Sequence, residues 1–248
     1  MKNKRVLLVD ALNLFMRNYI VDPSLSTNGH PIGGTKGFLK SLQSVCRTIN
    51  PDIIFVAWDG GSQKRKSMDK NYKAGRKPVR LNRDIHNMSA GEQEDNKNWQ
   101  QQRIIEYLNQ MPILQSYVEN VEADDIIALV SQSQALIEHH KIILSSDKDF
   151  IQLCDDTTIL YRPIQKEILN KKRILEQYEI HPTNFALARA IAGDKSDNLV
   201  GVGGAGLATV AKRFPFLSEE KSYTIKELVD YADGVDSKLK VFKNVVEG

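Results

Sequence analysis

Two short apolar runs, "RVLLVD" at residues 5–10 and "DIIFVAWD" at 52–59, each end on an aspartate and read as buried strands. Between them, "TKGFLKSLQSVCRTI" (35–49) places Phe38, Leu39, Leu42, Val45 and Ile49 at the three-and-four spacing of an amphipathic helix. Residues 98–110 predict another helix and "PILQSYV" (112–118) a third strand. A helix follows "EADD" at 122–125, and "KIILSSD" (141–147) is the next strand. Strands alternating with helices predict an α/β fold whose mostly parallel central sheet is flanked by helices. The pattern changes after about residue 169. "RILEQY", "TNFALARAIAG" and "AGLATVAKRF" predict short helices joined by Gly and Pro signals, and "YTIKELVDYADGVDSKLKVFKNVVEG" predicts further helix. The expected division is an α/β domain over 1–169 and a helical region over 170–248.

Composition narrows the class. With 248 residues, 41% hydrophobic and 26% charged, the chain can bury a sizeable core. Its longest apolar runs, such as "IIFVAW", are too short to cross a bilayer, and the N-terminal apolar stretch reaches Asp10 early. Neither a signal peptide nor a membrane segment is expected. Cys46 and Cys154 lie far apart without metal-like spacing, which fits a reducing cytoplasm. The five histidines give no zinc pattern. The net charge of +3 is unevenly spread: residues 62–83 carry nine basic side chains against Asp69 alone, so the rest of the chain is acidic. Such a patch fits a polyanionic partner, although an isolated charge run is commonly a solvated loop.

The acids are patterned too. Asp10, Asp59 and Asp147 each close a predicted strand, and Asp149 lies two residues further on. If the extended conformation continues there, Asp147 and Asp149 point to one side. Parallel sheets bind ligands beyond the carboxyl ends of their strands, so three strands aim carboxylates at one rim. "VEADDIIALV" adds Glu122, Asp124 and Asp125. Ala123, Ile126, Ile127 and Val130 define the apolar face of the helix that follows, and acids in its first turn meet the positive end of its dipole. On a regular helix, positions 122 and 125 share a face that 124 does not. Glu122 is therefore expected to precede the first turn and converge with Asp124. "AGDKSDN" supplies Asp194 and Asp197. Any one of these acids alone reads as a cap or turn. Nine drawn together would repel strongly unless cations neutralised them, and hard Mg²⁺ or Mn²⁺ ions suit an all-carboxylate set.

Four glycines, Gly201, Gly203, Gly204 and Gly206, fall within six positions of "DNLVGVGGAGLATVAKRF", ahead of a helix. Such a turn lets backbone N–H groups approach a phosphate. No Gly-Lys-Ser/Thr ends it, and it follows a helix instead of a strand, so neither nucleotide-binding fingerprint applies.

Taken together, "LLVDALNL", "VAWDG", "YKAGRKP", "VEADDIIA", "SSDKDFIQL" and "GDKSDNLVGVGGAG" resemble the 5′ nuclease or flap endonuclease family over residues 5–214. That family includes the 5′→3′ exonuclease domains of bacterial DNA polymerase I and stand-alone phage enzymes. The resemblance implies two divalent ions and hydrolysis of a phosphodiester near a 5′ end. It places Asp10, Asp59, Glu122 and Asp124 nearer one ion and Asp147, Asp149 and Asp194 nearer the other, with Asp125 and Asp197 in support. It makes residues 62–97 a basic helical arch. There Lys73 is the first candidate to touch the scissile phosphate, with Arg76 and Arg80 as further catalytic candidates, Lys77 on the DNA backbone and Tyr72 as a base-stacking ring. Residues 183–214 resemble a helix–three-turn–helix element in which Gly201, Val202, Gly203, Gly204, Gly206 and Thr209 grip duplex phosphates, through K⁺ in some members. The chain departs from the family where a Lys commonly precedes Thr: here the run is Leu207, Ala208, Thr209, which leaves Lys212 or Arg213 to compensate. Gly33 and Gly34, before the helix at 35–49, resemble a second phosphate contact.

The implied substrate is branched, flapped or gapped DNA, or an RNA primer on DNA. The implied setting is a monomer in the cytoplasm of a bacterial or phage-infected cell, alongside replication proteins that the sequence does not name. Three rivals differ in kind. A PIN-type ribonuclease shares the acidic rim but is typically smaller and lacks "GDKSDN…GVGGAG". A non-catalytic DNA-binding protein would not need so many carboxylates facing phosphate. A phosphatase with an aspartyl nucleophile would want Asp-x-Asp after the first strand, where residue 12 is leucine.

Overall fold

The computed structural model describes residues 3–74, 80–235 and 239–247. Strand β1 (Arg5–Asp10) carries Val6, Leu7, Leu8 and Val9 with no exposed surface, as a strand covered on both faces must. Helix α1 (Ala11–Val21) starts at the next residue, because the Asp10 carboxylate accepts the Asn13 amide at 3.1 Å and caps it. The sequence pattern did not predict this helix. Its apolar face (Ala11, Leu14, Phe15, Tyr19) abuts the strand with no turn residue between them. Helix α2 (Gly33–Ile49) begins two residues before its predicted start and ends on left-handed Asn50. Strand β2 (Ile53–Trp58) leaves Asp59 one residue beyond its end.

Helices α3 (Gln63–Met68) and α4 (Arg83–His86) are short. Helix α5 (Ala90–Leu108) starts well before residue 98, at a capping box between Ser89 and Glu92. Strand β3 (Leu114–Tyr117), helix α6 (Ala123–Ser131) and strand β4 (His140–Leu144) follow. Strands β5 (Thr158–Arg162) and β6 (Glu167–Leu169) were not anticipated; they are only five and three residues long. The C-terminal helices are α7 (Lys171–Tyr178), α8 (Phe185–Ala192), α9 (Leu207–Arg213), α10 (Ile225–Gly234) and α11 (Lys240–Glu247).

The sheet order is β3-β2-β1-β4-β5-β6. Parallel registers join β1 to β2 (Val9 to Val56), β1 to β4 (Val9 to Leu144) and β2 to β3 (Val56 to Gln115). This is the expected α/β class.

Contacts divide the chain into two compact units. One contains Met1–Gln63, Lys77–Asp147 and Tyr161–Lys166; the other contains Lys64–Arg76, Lys148–Leu160 and Glu167–Gly248. The division differs from the expected single cut near residue 169, because the chain passes between the units several times. Among the described residues, no helix is long and apolar enough to cross a membrane.

Candidate active site

In the first unit the acids gather around Asp10. Its side chain accepts the Ser145 hydroxyl at 2.9 Å as well as the Asn13 amide. Ser145 Oγ in turn accepts the Asp147 amide at 3.1 Å, and Asn13 Oδ1 accepts the Ser146 amide at 3.0 Å. The loop after β4 is thereby stitched to the β1–α1 junction. Burial pushes the Asp10 carboxyl up to about 6. The bonds from Asn13 and Ser145 oppose that rise, while the charges of Asp147 and Asp124 add to it. Asp10, Asp124 and Asp147 therefore form one electrostatic group. Glu122 is the N-cap residue of α6 in extended conformation, as expected, and is 5% exposed. Asp125 is exposed on the same helix. Asp59 accepts the Gly61 amide at 2.8 Å and lines a cleft of about 240 Å³ with Trp58, Lys97 and Gln101.

One expectation is corrected. Strand β4 ends at Leu144, and the chain turns into a 3₁₀ helix at Lys148–Leu153, so extended geometry does not carry Asp147 and Asp149 to one side. Asp147 acts on Asp10. Asp149 belongs to a second cluster, in the second unit, with Asp194 and Asp197; one carboxylate oxygen from each lies within 4.8 Å of the others. The turn carrying Asp194 is closed by reciprocal backbone bonds between Asp194 and Leu199. Burial raises the Asp194 carboxyl, but the Ser196 hydroxyl and amide and the Arg189 charge outweigh it and hold the group below its ordinary value. Arg189, on α8, reaches into this cluster: its guanidinium donates to Asp149 at 3.2 Å, to Asp194, and to the Gly193 carbonyl at 3.3 Å. Every donor in both clusters is an oxygen, which fits hard divalent cations.

Of the basic window, Arg76 and Lys77 lie outside the described residues, and Arg80 is exposed. Lys73 is held at φ 60°, a left-handed backbone that a lysine rarely adopts, with its amide donating to the Asp197 carbonyl at 3.0 Å. Tyr72 is not an open stacking platform. It is buried, Lys73 Nζ sits 4.9 Å from its ring centre, and Arg65 donates to its hydroxyl at 3.1 Å. Gly33 and Gly34 are both buried in the first turn of α2. A Cβ on Gly34 would lie 2.4 Å from Phe15 and 2.9 Å from Gln100 Oε1, so the missing side chain admits α1 and α5.

The glycine hairpin differs from that pair. Gly203, Gly204 and Gly206 are exposed ahead of α9, Val202 donates its amide to the Ile191 carbonyl, Thr209 is half-buried, and Lys212 is exposed. Gly201 sets the hairpin on α8: a Cβ there would lie 2.3 Å from the Ala192 carbonyl carbon. Gly201→Ala is expected to cost about 1–3 kcal/mol or more through backbone displacement. Thermal unfolding should show that as a loss of roughly 2–4 °C per kcal/mol; an unchanged Tm would refute the close approach.

Sequence reasoning missed Asn13, Ser145 and Arg189. Asn13 and Ser145 sit in recognisable stretches but are neutral. Arg189 lies in an otherwise apolar helix, and nothing in its spacing marks it.

A family model described as "5′-3′ exonuclease, N-terminal resolvase-like domain" matches residues 5–179. A "5′-3′ exonuclease" of Buchnera aphidicola subsp. Schizaphis graminum is 28% identical over 84% of this chain, which spans 69% of that relative. "DNA polymerase I, thermostable" of Thermus thermophilus is 30% identical over 84% of this chain, but the chain spans only 23% of it. In structure, the chain is similar to a bacteriophage T5 D15 flap endonuclease variant described as a pseudo-enzyme–product complex with DNA and metal ions. The TM-score is 0.73 at 18% identity, covering 98% of this chain and 84% of that one. At that identity the likeness carries the fold.

Proposed function

The chain belongs to the 5′-3′ exonuclease family through its N-terminal resolvase-like domain, and from that premise we propose that it is a divalent-metal-dependent, structure-specific 5′ nuclease. It hydrolyses phosphodiester bonds near the 5′ ends of branched, flapped or gapped DNA. The observation that carries this reading is the gathering of Asp10, Asp124 and Asp147 at the ends of β1 and β4 and the head of α6. Burial is the main cause of the raised Asp10 carboxyl, and the charges of Asp147 and Asp124 add to it.

Asp10, Asp124 and Asp147, with Glu122 and Asp59, would hold one ion, with Asp125 in support. Asp149, Asp194 and Asp197 would hold a second. Bound ions of this kind activate water and take up charge on the phosphate. The rest falls to the chain itself. Ser145 and Asn13 orient the Asp10 carboxylate through the bonds already described. Lys73, with Arg80 and the neighbouring Arg76, supplies positive charge to the scissile phosphate. The exposed hairpin glycines and Lys212 take the duplex backbone without reading bases. Mg²⁺ as the working ion, K⁺ at the hairpin, action on an RNA primer, a monomeric state and work beside replication proteins belong to the same proposal.

The test is a 5′-flap substrate labelled at each end in turn and incubated with Mg²⁺, with Mn²⁺ or with chelator. Products shortened from the 5′ side with either ion, and intact substrate in chelator, are expected. Cleavage in chelator, or cutting of unstructured RNA with the flap left whole, would overturn it in favour of another nuclease class.

A further inference from the structure

Arg189 is a cation placed where the proposed function puts a metal ion. It projects from α8, whose sequence "FALARAIA" is otherwise apolar, and its side chain is 22% exposed. Nε donates to Asp149 Oδ1, Nη2 donates to Asp194 Oδ2, and Nη1 donates to the Gly193 carbonyl. The guanidinium therefore engages two of the three carboxylates whose oxygens lie within 4.8 Å of one another. Its planar fork and permanent charge make it an effective counter-ion for clustered acids.

We propose that Arg189 is the built-in counter-ion of the Asp149–Asp194–Asp197 cluster and competes with the divalent ion for it. The inference rests on the metal-dependent reading above and goes beyond it, because it concerns how tightly and at what conformational cost this cluster takes its ion. A divalent ion bonds carboxylate oxygens at about 2.0–2.1 Å for Mg²⁺. Asp194 Oδ2 keeps a second lone pair, so the conflict is one of charge: an ion on that atom sits beside the guanidinium that donates to it. In this proposal the guanidinium lets go of Asp149 and Asp194 as the ion enters, and the ion's apparent affinity is reduced by that step. An arginine in contact with an aspartate lowers its affinity for a proton by roughly 10- to 1000-fold, and a divalent competitor meets the same sign of penalty. The competing view is that Arg189 holds the ligands in position for the ion. The two views predict opposite signs, since losing a residue that orients metal ligands weakens binding by roughly 10- to 100-fold.

The experiment is a Mn²⁺ titration of the full chain without DNA, with free Mn²⁺ followed by electron paramagnetic resonance, for the parent, Arg189→Gln and Arg189→Lys. Expected is a tightening of one class of site by roughly tenfold or more in Arg189→Gln, with unchanged stoichiometry and the other class unmoved, while Arg189→Lys stays near the parent. Equal or weaker binding by Arg189→Gln overturns the inference and leaves the nuclease reading standing. A parent that binds no Mn²⁺ removes both. Should Arg189→Gln fail to fold, the parent answers alone. Its Arg189 Nε–H resonance should be protected from solvent exchange in chelator and lose that protection at saturating Mg²⁺; protection that persists overturns the inference.

Discussion

Asparagine at Asp124 or at Asp147 is expected to abolish cleavage while leaving DNA binding largely intact. Each substitution keeps shape and removes one charge. Asp124 accepts the Asp125 amide at 2.8 Å, a bond that an asparagine oxygen also makes, so the head of α6 survives the change. Asp147 is exposed, and its backbone amide is what ties the loop to Ser145. What is lost is ligand charge in the group around Asp10. If ion-borne stabilisation of the transition state is worth several kcal/mol, the rate falls by roughly 10³-fold or more. Duplex binding has no such debt, because a carboxylate without its ion repels phosphate. Single-turnover cleavage beside a gel shift separates the two effects: turnover near the parental rate by either variant would remove that residue from the site, and parallel losses would move it from chemistry to grip.

Asp10→Asn is expected to stabilise the ion-free chain at alkaline pH. The Asp10 carboxyl moves from 3.8 to about 6, with burial as the largest cause. Folding therefore favours its protonated form: that contribution is complete below about pH 4 and is lost as pH rises through about 6. A shift of this size corresponds to at most about 3 kcal/mol. Asparagine avoids the loss: its oxygen can still accept from the Asn13 amide, and its NH2 faces the Ser145 hydroxyl as a donor. Melting curves in chelator should show the variant above the parent at pH 8 and level with it at pH 4. Mg²⁺ should then raise the parent more than the variant, because only an intact ligand set gains from binding. A parent that is the more stable at pH 8 in chelator would refute the picture of ill-tolerated, buried negative charge.

Much of this was written in the chain's pattern. β1, β2 and β4 declare themselves because three to six apolar residues run unbroken, and the acids at or beyond their ends locate the rim. α1 escaped because Asp10 both ends a strand and caps a helix, leaving no punctuation between two periodicities. β6, at the sheet edge, escaped because three residues carry too few positions to alternate, and β5 because its alternation in burial is not matched by an alternation of apolar and polar residues in "TILYR". The association of Asp149 with Asp194 was legible only through family likeness, since a 3₁₀ turn, not strand geometry, sets its direction. The roles of Gly34 and Arg189 were not legible at all. One depends on how close α1 and α5 come to α2, the other on a reach from α8 into a turn, and both are tertiary facts.

Two bonds at the foot of the basic segment have a mechanical consequence. The Lys73 amide is fastened to the Asp197 carbonyl and the Asn71 carbonyl to the Asn198 side chain. Together they tie residues 71–74 to the turn bearing Asp197, so a displacement of one is passed to the other. Under the proposed function, the spacing between a phosphate held at Lys73 and an ion at Asp149, Asp194 and Asp197 is gauged by this clip, like the fence on a saw.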